Sequence, residues 1–213
     1  MKQFFARVVT TVAGMLLTSA VIGYTAGAID KATFARMCLE GLPGIKKIEA
    51  ALDTEELSVN NEFPGGDRPI HVAAEYAYDP ALIRVLVQRG ASLFAPGMEK
   101  LSPLMLAAAY NDSYRVTETL ASLMTESSPD AVNMPDKLGR TPLFLAAAVN
   151  PNPDVVAALL RCGADPNARD EDGHSPLWVA ALRGKADAVR ILLGGGAKVD
   201  EGDDDGVTPL LAA

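Results

Sequence analysis

Asp136-Lys137-Leu138-Gly139-Arg140-Thr141-Pro142-Leu143-Phe144-Leu145-Ala146-Ala147, with Val155-Val156-Ala157-Ala158-Leu159-Leu160 and Gly163-Ala164 behind it, holds a complete folding unit. The Thr141 hydroxyl can cap a new helix by accepting a backbone N–H, and Pro142 at the first helical position loses no bond, because that N–H has no intrahelical partner. Leu143 and the Ala146-Ala147 pair place one large and two small apolar groups on one face, so a neighbouring helix can approach closely. Residues 155–160 supply the buried stripe of a second, antiparallel helix, and Gly163 stops it with a left-handed C-terminal cap.

Working outward, the unit recurs. Arg68-Pro69-Ile70-His71-Val72-Ala73-Ala74, Ser102-Pro103-Leu104-Met105-Leu106-Ala107-Ala108, Ser175-Pro176-Leu177-Trp178-Val179-Ala180-Ala181 and Thr208-Pro209-Leu210-Leu211 repeat the opening, at proline separations of 34, 39, 34 and 33 residues. Gly90 and Gly196 repeat the stop, 21 and 20 residues after their prolines. A fixed period of this length predicts a stacked solenoid rather than a closed globule, so function is to be sought on a surface.

These residues resemble the ankyrin repeat, whose pattern is an Asp-x-x-Gly-x-Thr-Pro-Leu-His-x-Ala-Ala opening and a Leu-Leu-x-x-Gly-Ala-Asp-x-Asn close. Asp136 to Ala147 with Leu159 to Asn167, and Asp170 to Ala181 with Leu192 to Asp200, follow nearly all of it in order. The resemblance implies an all-α solenoid of helix-turn-helix units joined by short β-hairpin-like loops. Repeats are expected over 61–97, 98–135, 136–169 and 170–202, with a partial copy over 203–213. A degenerate capping unit is expected over 29–60, with helices at Ala32 to Glu40 and Ile45 to Leu52. The last copy ends a few residues into a first helix, and three readings stay open: a shortened chain, a tail docked on the preceding repeat, or an end completed by a partner.

Two departures from the pattern carry expectations. His71 alone keeps the family histidine, which Met105, Phe144, Trp178 and Leu211 replace, so the polar bond between repeats should mostly give way to apolar packing. The second copy has no Gly-Ala stop and carries Met124-Thr125-Glu126-Ser127-Ser128-Pro129-Asp130 instead, which reads as an extended, exposed loop.

The first residues read as an address. Met1 to Arg7 is a short basic start, Val8 to Ile29 has no charge, and Ala26-Gly27-Ala28 is an A-x-A-type cleavage site. A hydrophobic signal helix over 1–28, cut after Ala28, is expected to send the repeats to a bacterial periplasm or out of the cell. The alternatives are an uncleaved anchor, since the uncharged run could just cross a bilayer of about 30 Å, and a buried cytosolic helix. The chain has a formal charge of −8, and without residues 1–28 it has 17 basic and 27 acidic residues, or −10. An acidic surface without a basic stripe disfavours nucleic acid and would steer a basic protein or peptide towards it, the alternative being that the charge serves only solubility. The membrane enters as a partner only if the leader is retained.

No catalytic, cofactor or metal site is expected. The two histidines, His71 and His174, fall in different repeats, and a Ser175 nucleophile would have to leave its capping bond. The run Asp200-Glu201-Gly202-Asp203-Asp204-Asp205-Gly206 lacks the Glu of a calcium loop, since Ala212 stands there, and Asp203 and Gly206 are explained as turn residues. Cys38 and Cys162 lie three stacking steps apart, roughly 25–30 Å at about 8–10 Å per helix layer, too far for a disulfide.

In proteins of this resemblance ligands lie in a concave groove built from the tips and first helices of the repeats. The matching tip positions here are Met98, Glu99, Leu101, Lys137, Leu138, Arg140, Glu171, Asp172 and His174, and the matching helix positions include Glu75, Ala109, Ala148 and Val149. Tyr76, Tyr110, Leu138, Arg140, Leu182 and Arg183 have the composition of a protein-binding hot spot, the alternative being that they only cover seams between repeats. The implied function is non-enzymatic binding of another protein.

Overall fold

The structure is a computed structural model that describes residues 29–54 and 56–213; the expected leader over 1–28 lies outside the described residues. Among the described residues there is no strand, and eleven α-helices follow one another in pairs. They are α1 (Lys31–Leu39) and α2 (Leu42–Asp53), α3 (Pro69–Tyr76) and α4 (Ala81–Gln88), α5 (Pro103–Tyr110) and α6 (Tyr114–Ser127), α7 (Pro142–Val149) and α8 (Pro153–Arg161), α9 (Pro176–Leu182) and α10 (Ala186–Gly194), and α11 (Pro209–Ala212). The odd-numbered helices stack in one row from α1 to α11, and the even-numbered ones in a second row from α2 to α10. The protein is therefore an all-α solenoid with one continuous core.

Three of the first helices start for the reason legible in their sequence. Ser102, Thr141 and Ser175 have extended backbone, and their hydroxyls accept from the amides of Met105 (3.2 Å), Phe144 (3.2 Å) and Trp178 (3.1 Å), with proline at the next position. Three of the second helices end at Gly90, Gly163 and Gly196 with φ of 90°, 89° and 91°. The next alanine N–H then reaches back to Leu86, Leu159 and Leu192 at 2.9, 3.0 and 3.0 Å, the i to i+5 bond of a Schellman cap. Asparagines one repeat earlier brace these stops. Asn60, Asn133 and Asn167 donate to the carbonyls of Gly90 (3.0 Å), Gly163 (3.3 Å) and Gly196 (3.2 Å).

The second repeat breaks both habits together. Phe94 occupies the bracing position, and the helix that an asparagine there would have braced, α6, has no glycine stop and runs for 14 residues. Residues 126–130 are exposed, but they do not open into the expected extended loop. Pro129–Asn133 coils into a 3-10 turn that buries Ala131 and Val132, so this pair supplies the apolar plug that Gly-Ala supplies elsewhere.

The junctions also differ in part from the expectation. Met105 and Phe144 are buried apolar substitutes for histidine, at 2% and 7% exposure. Trp178 is not merely apolar: its indole N–H donates to the Val207 carbonyl at 3.0 Å, in the tip of the following unit. His71 makes the corresponding bond through Nε2 to the Ala95 carbonyl at 2.8 Å, while its Nδ1 accepts the Arg68 amide at 3.1 Å. Trp178 thus keeps the inter-repeat bond that loss of histidine was expected to remove.

A further ladder joins successive repeats at the opposite end of the first helices. Asn111 donates to Ala74 and Ala77, both at 2.9 Å, and Asn150 donates to Ala108 (2.9 Å) and Asn111 (3.0 Å). Lys185 continues it by donating to the Asn150 carbonyl at 2.7 Å. Burial, with the Arg183 charge adding to it, pushes the Lys185 ammonium down to about 8. The offset of eight residues after Pro103 and Pro142 was visible, but sequence reasoning attached no role to it.

Candidate functional site

The tips share one construction. Asp136, Asp170 and Asp203 each turn Oδ1 inward to two amides of their own loop: Leu138 and Arg140 at 2.9 Å, Asp172 and His174 at 3.1 and 2.8 Å, Asp205 and Val207 at 3.0 and 2.8 Å. Gly139, Gly173 and Gly206 sit at φ of 75°, 78° and 80°, where the same position in the second repeat has Lys100 at φ 60° and carries left-handed strain. Successive tips are bonded edge to edge, Glu171 N to Leu138 O at 2.9 Å and Asp204 N to Asp172 O at 3.4 Å. Asp203 and Gly206 are turn residues, as their sequence context implied.

Between the tips and first helices of the third and fourth repeats lies an open groove of about 420 Å³. Phe144, Leu145, Val149, Trp178 and Val179 are among its lining, and Leu138 and Leu182 stand on it at 50% and 46% exposure. Four of the six side chains singled out from the sequence, Leu138, Arg140, Leu182 and Arg183, meet here. Tyr76 and Tyr110 do not line it; they are half-buried against the core at the ends of α3 and α5. Leu101 and Ala109, placed on the surface by position, are buried at 3% and 2%.

Electrostatics sharpens the groove. Arg140 is held by Asp136 Oδ2 through Nε (2.8 Å) and Nη2 (2.6 Å), so its charge is spent within its own tip. His174 stacks on Trp178 with ring centroids 3.8 Å apart, its Nδ1 is 3.3 Å from Asp170 and its Nε2 is 3.7 Å from Asp203. Trp178 and Phe144 were missed as groove residues because their positions read as junction filler, whereas His174 stands at one of the tip positions that the resemblance assigns to the groove. The signal available was the exposed-position Leu138 followed by aromatic residues, Phe144 and Trp178, at the histidine position of two successive first helices.

The Ser175 hydroxyl accepts the Trp178 amide, and His174 faces Asp170 and Asp203. Asp170, Asp172 and His174 offer ligand atoms within 4.8 Å of one another, with Asp170 Oδ1 committed to the amides of its own turn. Burial pushes the thiols of both Cys38 and Cys162 up, which keeps them neutral.

A row of stacked helix pairs with capped Pro-Leu starts, Gly-Ala stops and bonded tips, presenting a groove on its surface, defines a repeat scaffold for binding. The chain belongs to the ankyrin-repeat family, whose sequence pattern, described as Ankyrin repeats (3 copies), matches residues 70–170 and 143–213. It is 39% identical over 88 residues to the ANK repeat-containing protein nipk-1 of Caenorhabditis elegans, covering 39% of this chain and 14% of that protein. It is 40% identical over 81 residues to human Oxysterol-binding protein-related protein 1, covering 38% of this chain and 8% of that protein. Over 46 residues it is 54% identical to mouse NF-kappa-B inhibitor delta, covering 22% of this chain and 14% of the relative. All three relatives are animal proteins, and this chain matches only a small part of each. Ankyrin repeats are typically non-enzymatic modules for protein–protein interaction. Among the described residues no helix is long and apolar enough to cross a membrane.

Proposed function

We propose that this protein is an exported, non-enzymatic ankyrin-repeat module that binds another protein through its concave face, with the groove beside Leu138 and Leu182 as the main contact. The observation that carries the reading is the pairing of two half-exposed leucines with the Phe144 and Trp178 rings at their feet, apolar surface kept open between bonded tips. Leu138→Glu and Leu182→Glu change only exposed side chains. Each is expected to move the thermal midpoint by less than about 2 °C and to weaken binding of the co-purifying partner at least about tenfold. Unchanged binding in both variants would remove the groove from the proposal.

Export rests on the basic start, the uncharged run from Val8 to Ile29 and Ala26-Gly27-Ala28. A mature mass beginning at Ile29, in the periplasmic or secreted fraction of the native host, is the expected result. The uncharged run also supports a second reading, a membrane-anchored scaffold that organises an envelope complex; an intact chain in the membrane fraction would favour it. An intact soluble chain in the cytoplasm would overturn both.

A further inference from the structure

We propose that the groove between the third and fourth repeats takes a segment of another protein in which a bulky apolar side chain lies next to Lys or Arg residues. The inference rests on the protein-binding reading above and adds the chemistry of the partner. Its first ground is the shape: Phe144 and Trp178 form an aromatic floor, Leu138 and Leu182 rise beside it, and the opening suits one or two apolar side chains rather than a flat surface.

Its second ground is charge that is left over. Arg140 is consumed by Asp136, and Arg169 by the carbonyls of Gly173 (2.8 Å) and Gly202 (2.7 Å), with Asp204 3.5 Å away. Asp170 and Asp203 are spent on their turn amides. Glu171 and Asp172, at the lip of the groove, are exposed, and no Lys or Arg of the described residues pairs with either carboxylate. Asp205 on the neighbouring tip is exposed as well, and Asp200 lies just before it. Arg183 lines the same groove, so the lip and the neighbouring tip set three exposed carboxylates, Glu171, Asp172 and Asp205, against one guanidinium, and a partner that seats an apolar side chain on Trp178 brings its flanking residues against net negative charge. Lys or Arg there gains attraction and faster encounter, whereas Glu or Asp is repelled.

The test uses the full chain and a phage-displayed library of random 12-residue peptides. Enriched peptides are then synthesised and titrated by fluorescence, for which Trp178, the chain's single tryptophan, is a reporter inside the groove. The expected result is enrichment of peptides with an aromatic or leucine residue beside two or more Lys or Arg. Their affinity should fall about tenfold in the Glu171→Gln/Asp172→Asn double variant, and fall again as salt is raised. Equal melting curves of variant and parent establish that the fold is unchanged. Enriched peptides that are acidic or uncharged, yet lose binding in Leu182→Glu, would overturn the basic-segment proposal and leave the groove as a protein-binding site. Absence of any peptide whose binding depends on Leu138 or Leu182 would overturn both.

Discussion

Asn150→Ala is expected to destabilise the solenoid by about 3 kcal/mol, lowering the thermal midpoint by about 6–12 °C. Asn150 is 3% exposed, and its amide donates at once to Ala108 and Asn111 of the preceding repeat while its Oδ1 accepts the Asn152 amide at 2.9 Å. An alanine leaves two buried carbonyls and one amide without this partner, each costing about 1 kcal/mol or more where water cannot replace it. The loss falls on an interface between repeats, the term through which neighbouring units of a solenoid stabilise one another, so the melt should also broaden. Asn133→Ala is the control. Asn133 makes the same kinds of bonds, to Gly163 O at 3.3 Å and from Asp165 N at 2.8 Å, but where solvent can take over, and should cost about 1 kcal/mol. Denaturant or thermal unfolding that gave equal losses for the two variants would show that burial of the Asn150 ladder is not what makes it matter.

The contrast between these asparagines also marks what the sequence disclosed. Helix starts were legible because Ser or Thr before Pro-Leu has a local physical meaning, and three helix stops because glycine at positive φ does. Turn aspartates were legible for the same reason, since Asp203 bonds amides two and four residues away. What could not be read was any bond whose partner lies a repeat away. Asn111, Asn150 and Lys185 follow the alanine pairs without any local need for a donor; only stacking brings the carbonyls of Ala74, Ala108 and Asn150 to them. Trp178 looked like apolar filling because its N–H finds Val207 only once the next tip is in place. The groove was half legible: Leu138 and Leu182 are exposed at positions fixed by the period. The aromatic floor depended on where the junction side chains turn, and Tyr76 and Tyr110 lie outside the lining of this groove. Ala131 and Val132 filling the place of a missing Gly-Ala is likewise a tertiary fact, written in the length of α6 rather than in any motif.

Asp67→Ala should have a comparable effect at the other end of the molecule. Asp67 is 4% exposed and stands where the N-terminal unit meets the first two full repeats: Oδ2 is 2.5 Å from Lys31 Nζ, and Oδ1 accepts the Met98 amide at 2.7 Å. Gly97, beside that amide, has no room for a side chain, since a Cβ would come within 2.6 Å of both Asp67 Oδ1 and His71 Cδ2. Removing the carboxylate strands the Lys31 ammonium and the half-buried Met98 N–H. A loss of about 3 kcal/mol is expected, at the lower edge for a broken buried pair because the Lys31 side chain is still 20% exposed. Lys31→Met in the Asp67→Ala background should return part of it, which separates the stranded charge from the lost amide bond.

The pH dependence gives a second reading of the same site. Burial pushes the Asp67 carboxyl up, but the Lys31 hydrogen bond, the Met98 amide and the charges of Lys31 and His71 outweigh it and leave the group below its ordinary value. Its stabilisation is thus complete above about pH 3.9 and is lost as pH falls through the lower folded value. Burial lowers the His71 value, partly offset by the Ala95 bond and the Asp67 charge, so neutral His71 stabilises the fold above about pH 6.5 and this is lost as pH falls through its own folded value. Without Asp67 the carboxylate that favours protonated His71 is gone, and the folded value drops further. Melting curves from pH 7.5 to 5 should therefore fall more steeply for Asp67→Ala than for the parent, and the excess should vanish in Asp67→Ala/His71→Gln. A parallel decline in all three proteins would mean that His71 does not feel Asp67, and that the three-repeat contact is held by packing rather than by this pair of charges.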